Sequence, residues 1–232
     1  MSKRAVILAG GKGTRLKPFT ITLPKPLMPI GDIPILEIII RQLKKNGFNH
    51  VTITLNHMAE IIKAFFGNGE KWDIYIDYTL ENIPLSTMGP LTLIQDLPSD
   101  FLVMNGDVLT DLDFGLFFEN HTKYGNKFTI SAFEREHTID YGILNCDQDG
   151  RLLKFQEKPT DTFLVSMGIY MLNQEILKII PRNTFFGFDH LMNLLLEGGQ
   201  TVNVEKYNGL WLDIGRPDDY ERAFSMIKNI VF

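Results

Sequence analysis

A short apolar run from Arg4 to Ala9 leads directly into Gly10-Gly11-Lys12-Gly13-Thr14-Arg15-Leu16. A buried strand that ends in a glycine-rich loop constrains this chain more than any other feature. Glycines carry no Cβ, so backbone N–H groups can crowd around phosphate oxygens at the end of the strand. Arg15 adds a rigid cationic fork, and Lys25 of Leu23-Pro24-Lys25-Pro26-Leu27 adds a point charge. Loop and cations together point to a nucleoside triphosphate. Two common phosphate motifs are excluded. Lys12 is followed by Gly13, which breaks the P-loop pattern, and Leu16 stands where a dinucleotide fingerprint needs its third glycine.

Composition narrows the class. The 232 residues, 44% of them hydrophobic, suffice for one α/β domain with a sizeable core. A formal charge of −5 argues against a general nucleic-acid binder. The single cysteine, Cys146, excludes an intramolecular disulfide and reads as a small core residue in a strand. No apolar run approaches the ~20 residues of a membrane span. The basic start Met1-Ser2-Lys3-Arg4 precedes too short an apolar stretch for a secretory signal, so a cytoplasmic protein without membrane contact is expected. His50, His57, His121, His137 and His190 show no ligand spacing and are expected on the surface or in loops.

Strand-like runs fall at 4–9, 51–56, 74–80, 101–106 and 128–133. Between the first two, Leu36, Ile39, Ile40 and Leu43 recur at helical spacing; Lys44 and Lys45 suit the helix C-terminus and Gly47 ends it. Further helices are expected near 58–66, with Ile61, Ile62, Phe65 and Phe66 on one side, and near 89–96 and 113–124. This alternation predicts a mostly parallel sheet wrapped by helices, with its ligand mouth at the carboxyl ends of the strands. The glycine loop and Asn105-Gly106-Asp107 then share one mouth. After residue 134, strands are expected at 141–146, 152–156, 163–172 and 201–207, and helices near 174–180 and 188–197. Pro217 to Lys228 reads as a closing helix that starts with proline and acids. One domain over 1–232 is expected, with a nucleotide-binding half to about 133 and a sugar-binding half from about 134.

Several motifs, in order, carry a resemblance. The segments Gly10 to Leu16, Pro24-Lys25-Pro26-Leu27, Pro34-Ile35-Leu36-Glu37 and Glu81 to Leu91 are the first of them. Asn105-Gly106-Asp107, Tyr141-Gly142, Glu157-Lys158-Pro159, Gly168-Ile169-Tyr170 and Trp211-Leu212-Asp213-Ile214-Gly215 follow. From residue 4 to about 224 the chain resembles the sugar-1-phosphate nucleotidylyltransferases, or nucleotide-sugar pyrophosphorylases. The resemblance implies an α/β fold of Rossmann-like, three-layer αβα nucleotidyltransferase (GT-A-like) type, with a mixed, mostly parallel central sheet. It also implies in-line attack of a sugar-1-phosphate oxygen on the α-phosphorus of an NTP, releasing pyrophosphate. Two anions must meet, so such a site neutralises charge and aligns groups, with no need for proton transfer.

The residue roles follow from the same resemblance. Arg15, Lys25 and Asp107 are the implied catalytic groups. Leu8, Ala9, Gly10, Gly11, Gly13, Thr14, Arg15, Lys25, Glu81, Thr87, Gly89 and Asn105 are implied in nucleotide binding. Asp107 and Asp213 are the implied Mg²⁺ ligands, since that ion favours one or two carboxylates plus phosphate oxygens. Tyr141, Gly142, Glu157, Lys158, Gly168 and Ile169 are implied around the sugar phosphate. Glu81 to Leu91 looks most like the guanylyl-transferring branch for mannose- and heptose-type sugars, because a carboxylate accepts well from guanine N1–H and N2–H₂. UTP, dTTP and CTP stay open, as does homo-oligomerisation. The chain stops where some members continue into a left-handed β-helix acyltransferase domain, so no second activity is implied.

Three positions depart from the family pattern. Pro84-Leu85-Ser86-Thr87-Met88-Gly89 stands where Pro-Leu-Gly-Thr-Ala-Gly is usual, and Ser166-Met167-Gly168 where Asn-Ala-Gly is frequent. Met88 either reshapes the base pocket or packs behind it. Two other readings are weaker. Asp111-Leu112-Asp113 fits the D-x-D motif of a GT-A glycosyltransferase, but it precedes a helix, where capping explains it. A non-catalytic binder of nucleotide sugars has no need to keep Arg15, Lys25, Asp107, Lys158 and Asp213 together.

Overall fold

The computed structural model describes residues 3–226. In chain order the elements are β1 (Lys3–Leu8), β2 (Pro29–Ile30), β3 (Ile33–Pro34), α1 (Ile35–Lys45), β4 (Phe48–Leu55), α2 (Ala59–Phe66), β5 (Tyr75–Leu80), β6 (Asp100–Asn105), β7 (Val108–Thr110) and α3 (Phe114–Lys123). The second half adds β8 (Phe128–Thr138), β9 (Ile143–Cys146), β10 (Leu152–Gln156), β11 (Thr160–Asn173), α4 (Phe188–Glu197), β12 (Asn203–Tyr207), β13 (Trp211–Asp213) and α5 (Pro217–Met226). Seven strands form one sheet in the order β12-β8-β11-β6-β1-β4-β5. The pairs of β1 with β4 and β6, β4 with β5, and β8 with β12 are parallel; β11 runs antiparallel to both β6 and β8. The sheet is thus mixed and mostly parallel, as the alternation of elements predicted.

Strand side chains alternate between two apolar layers. Ala5, Ile7, Leu102, Met104, Ile169 and Met171 meet α1 and α3 on one face. Val6, Phe101, Val103, Tyr170 and Leu172 meet residues 88–97, residues 176–180 and α4 on the other. α1 forms where expected, with Leu36, Ile39, Ile40 and Leu43 fully enclosed. Several expectations need correction. The segments read as helices near 89–96 and 174–180 are short 3₁₀ turns, Gly89–Leu93 and Gln174–Ile179. On α2 only Ile62 and Phe66 are buried while Ile61 and Phe65 face out. α2 lies beside the edge strand β5, so one stripe of it finds cover.

The two central strands of the second half are longer than their apolar stretches. β8 and β11 stay paired out to Thr138 and Thr160, beyond the layers, as an exposed two-stranded arm. Glu134 to Thr138 carry no alternation to read, because ladder hydrogen bonds hold them and burial does not. β9 and β10 form a separate hairpin there, and Cys146 is exposed on it rather than in the core. His121 is fully buried, with Nδ1 2.8 Å from Thr129 Oγ1, and loss of hydration holds its pKa below the ordinary value. The closing helix is seen to Met226; its expected end near Lys228 lies outside the described residues. Among the described residues no helix is long and apolar enough to cross a membrane.

Arg4 is the main buried charge of the sheet. Its guanidinium donates to Thr52 Oγ1 at 2.9 and 2.6 Å, to Asp96 Oδ1 at 2.9 Å and to Asp77 Oδ2 at 3.2 Å. β1, β4, β5 and the loop before β6 are thereby tied together. Burial works against the charge of Asp77, but hydrogen bonds from His50 and Thr52 and the Arg4 charge outweigh it, holding this carboxyl below its usual 3.8. Arg4→Ala is expected to lower the unfolding free energy by about 2–4 kcal/mol, below the range for fully buried pairs because both aspartates keep some water. Urea denaturation measures this. A depressed folded pKa gives stability that is complete above the unfolded value and lost as pH falls through the folded one. Asp77→Asn should therefore flatten the loss of stability below about pH 4, and an unchanged acid limb would refute that assignment.

Candidate active site

Parallel pairing brings three strand ends together. Leu8 lies opposite Thr54 on one side and Asn105 on the other. Past the ladder, the Ala9 N–H donates to Thr54 O at 3.0 Å and the Gly106 N–H to Leu8 O at 2.9 Å. The glycine loop and Asn105-Gly106-Asp107 therefore leave the sheet side by side. Gly13 has φ +60° at the start of the 3₁₀ turn Thr14–Leu16, a left-handed conformation natural for glycine. At Gly10 a Cβ would sit 2.5 Å from Glu81 Oε1, so a side chain there would push that carboxylate away from its place over the loop.

The charged centre lies beneath this loop. Lys25 Nζ donates to Asp107 Oδ2 in a largely buried ion pair. The other oxygen, Asp107 Oδ1, is buried with no hydrogen-bond partner. The short ladder of β7 with β13 sets Asp213 opposite Val108, and the Ile214 N–H donates to Asp107 O at 3.0 Å. Asp213 is exposed by surface area, yet protein atoms crowd its carboxylate. That partial loss of water is the largest cause raising its pKa; the charge of Asp107 adds to it, and Lys25 and Arg15 oppose it. Two neighbouring carboxylates, one with an orphaned oxygen, fit a hard dication that completes its shell from a ligand's phosphate oxygens. Among the described residues no cluster of three or more His, Cys, Asp or Glu could hold a metal by itself.

Two cavities open from this centre. One of about 190 Å³ is lined by Leu8, Ala9, Gly11, Gly13, Thr14, Arg15, Lys25, Asp107 and Gly215. The other, of about 420 Å³, is lined by Gly10, Thr54, Asn56, Glu81, Pro84, Ser86, Thr87, Asn105 and Phe185, and shares Leu8, Gly11 and Asp107 with the first. Glu81 is half-buried there. Burial is the main cause raising its pKa, partly offset by the Leu85 N–H, which donates to Oε2 at 3.0 Å.

Residues 4–230 match the family model described as nucleotidyl transferase. The chain belongs to the nucleotidyl transferase family. A UTP–glucose-1-phosphate uridylyltransferase of Synechocystis is 32% identical, over 95% of this chain and 62% of its own length. The catalytic subunit beta of a Danio rerio mannose-1-phosphate guanylyltransferase is 33% identical, over 96% of this chain and 64% of its own. The chain thus spans under two thirds of these curated relatives. Among solved structures, HddC from Yersinia pseudotuberculosis matches with TM-score 0.75 at 28% identity, over 97% of this chain and 99% of that one. HddC has also been solved complexed with GMP-PN.

Family-implied residues divide by location. Those from Leu8 to Lys25, with Glu81, Thr87, Asn105 and Asp107, line the two cavities; Asp213 lines neither, but lines an adjoining hollow that shares Arg15 and Gly215 with the smaller one. Gly89 does not line them; its N–H donates to Phe186 O at 2.9 Å, and a Cβ there would meet Thr184 O at 2.8 Å. Ile169 is wholly enclosed in the core, which leaves only its backbone for a ligand. Gly168 packs against Asn105, which links the arm to the mouth. Tyr141, Gly142, Glu157 and Lys158 stand out on the arm, with Tyr141 78% exposed, and line neither cavity.

The departures resolve physically. Ser86 keeps a left-handed φ of +65°, the conformation a glycine at that place takes with less strain. Met88 is fully buried and packs behind the cavity rather than into it. Ser166 Oγ accepts from the Gly168 N–H at 3.2 Å, so its hydroxyl braces the turn. Asp113 caps α3 through the Leu116 N–H at 2.8 Å, and Asp111 accepts from Tyr207 and Leu210, so the D-x-D run is structural. Asn56 and Phe185 were missed. Asn56 directly follows β4, much as Asn105 closes β6, and the strand-end rule could have found it. Phe185 comes from a loop 100 residues away with no local signal.

Asp107→Asn and Asp213→Asn are each expected to weaken Mn²⁺ binding about tenfold or more, as titrated by electron paramagnetic resonance. Since the Asp213 pKa is raised, protons compete early, and wild-type Mn²⁺ affinity should fall as pH drops toward the carboxylate range. Unchanged Mn²⁺ affinity in both variants would remove these aspartates from a metal site.

Proposed function

We propose that the chain is a sugar-1-phosphate nucleotidylyltransferase, moving a nucleoside monophosphate from an NTP to a sugar-1-phosphate with release of pyrophosphate. The observation that carries this reading is the Lys25–Asp107 pair with Asp213, set under a glycine-rich loop and beside a base-sized cavity. Lys25 and Arg15 hold the triphosphate, and Asp107 keeps Lys25 aimed at it. Mg²⁺, held by Asp107 and Asp213 when bound, would neutralise charge on the phosphate oxygens. The attacking oxygen is already anionic, so no side chain has to remove a proton. Glu157 and Lys158, on the arm, take the sugar hydroxyls and the sugar phosphate.

GTP with a manno- or heptose-type sugar is the preferred pair. Glu81 supports this choice, since its carboxylate lines the larger cavity and suits the donor edge of guanine. The guanylyltransferase relatives support it too. UTP is the second reading, favoured by the Synechocystis relative.

A matrix of NTPs against sugar-1-phosphates, read by pyrophosphate release, tests the activity, and silence across the whole matrix would end the proposal. Glu81→Gln is expected to lower kcat/KM for GTP by about 10- to 100-fold, through loss of a charged acceptor. In the wild type GTP affinity should fall as pH is lowered toward the carboxylate range, because the raised pKa lets Glu81 protonate earlier than an ordinary glutamate. The variant should be weak throughout and should lose the part of that fall that Glu81 contributes. Lys158→Ala should raise KM for the sugar phosphate about tenfold and leave KM for the NTP unmoved; the opposite split would reassign that lysine.

A further inference from the structure

A third cavity, about 640 Å³ and the largest of the three at this mouth, has no role in the reading above beyond Arg15 and Asp213 at its inner side. Arg15, Asp213 and Gly215 border it on the side of the phosphate cradle. Its outer wall carries Arg135 from β8 and Arg216 and Arg222 from the start and body of the α5 segment. Phe133 and Trp211, with ring centroids 5.4 Å apart, also line it.

The charges of this chamber are unevenly satisfied. Glu134 is paired with Lys206, and Asp219 Oδ2 accepts from the Arg216 backbone N–H at 3.0 Å. Asp213 faces Asp107, Lys25 and Arg15. The guanidiniums of Arg135, Arg216 and Arg222 have no hydrogen bond or ion pair among the described residues, and Glu136 is the one acid of the wall equally unengaged. Three forked cations with open donors, against one free carboxylate, suit a phosphate-bearing anion.

The order of shared residues gives the occupant. The base-sized cavity meets the phosphate cradle at Leu8, Gly11 and Asp107, and the cradle meets this chamber at Arg15 and Gly215. A nucleotide with its base in the larger inner cavity therefore directs its terminal phosphates toward the arginines. The residues assigned to the sugar, Tyr141, Gly142, Glu157 and Lys158, do not line the chamber. Resting on the proposed nucleotidyl transfer, we infer that Arg135, Arg216 and Arg222 form a receiving site for the leaving pyrophosphate. As the sugar-phosphate oxygen bonds to the α-phosphorus, the bond to the αβ-bridging oxygen breaks. Its electron pair leaves on pyrophosphate, which Arg15 passes to a chamber of open guanidiniums.

Calorimetric titration of the full chain with inorganic pyrophosphate, GMP and mannose 1-phosphate tests the site. Arg135→Ala, Arg216→Ala and Arg222→Ala are each expected to weaken pyrophosphate about tenfold while GMP affinity stays unchanged. Arg222→Lys should fall between wild type and alanine, since it keeps the charge and loses the fork. Unaltered pyrophosphate affinity in all three alanine variants overturns the inference. So does a loss confined to mannose 1-phosphate, which gives the chamber to the other substrate. Wild-type binding of pyrophosphate that depends on these arginines, in a protein that releases none from any NTP and sugar phosphate, would sink the proposed function and leave the chamber standing.

Discussion

The parallel pairing of β1 with β4 on one side and β6 on the other is the constraint on which the site depends. Parallel strands end at the same edge of a sheet, so loops far apart in sequence emerge as neighbours. Here that edge collects the glycine loop, Asn56 and Asp107 without any long-range contact having to be designed for each. The hydrogen bonds from Ala9 to Thr54 and from Gly106 to Leu8 carry the pairing one residue past the sheet. A slip in either register would turn Asp107 away from Lys25.

On this frame the electrostatics follow from proximity. Asp107 and Asp213 repel each other, and the pair is tolerable because Lys25 and Arg15 stand beside it. Such a cluster is poorly arranged as a purely structural ion pair, since one carboxylate oxygen stays buried and unpartnered. It is well arranged for a ligand that brings both negative oxygens and a dication. The same balance explains why the arginines of the neighbouring chamber lie open: Glu136 apart, the acids near them are already engaged.

Much of this was legible in local pattern. The periodicity of α1, the glycine loop after β1 and the alternation of strand and helix each follow from short-range rules, and each appears as expected. Failures came where neighbours, and not local preference, decide. His121 reads as a surface histidine until the fold encloses it beside Thr129. Ile61 and Phe65 read as one side of α2 with Ile62 and Phe66, yet the end of the sheet leaves them uncovered. The arm escaped notice because its polar residues are held by the ladder, which leaves no hydrophobic signature.

What the sequence determined by itself is which groups are available: a glycine-rich loop after a strand, two basic groups, two acids near strand ends and the carboxylate of Glu81. Those are properties of residue type and short spacing, and the family match spans all of them. The tertiary structure decided which groups meet. It put Met88 behind the cavity and Phe185 at its rim, withdrew Gly89 and Ile169 into packing, and set three arginines around a chamber that adjoins Asp213. Distances between residues a hundred positions apart depend on how layers stack, and no local rule encodes that.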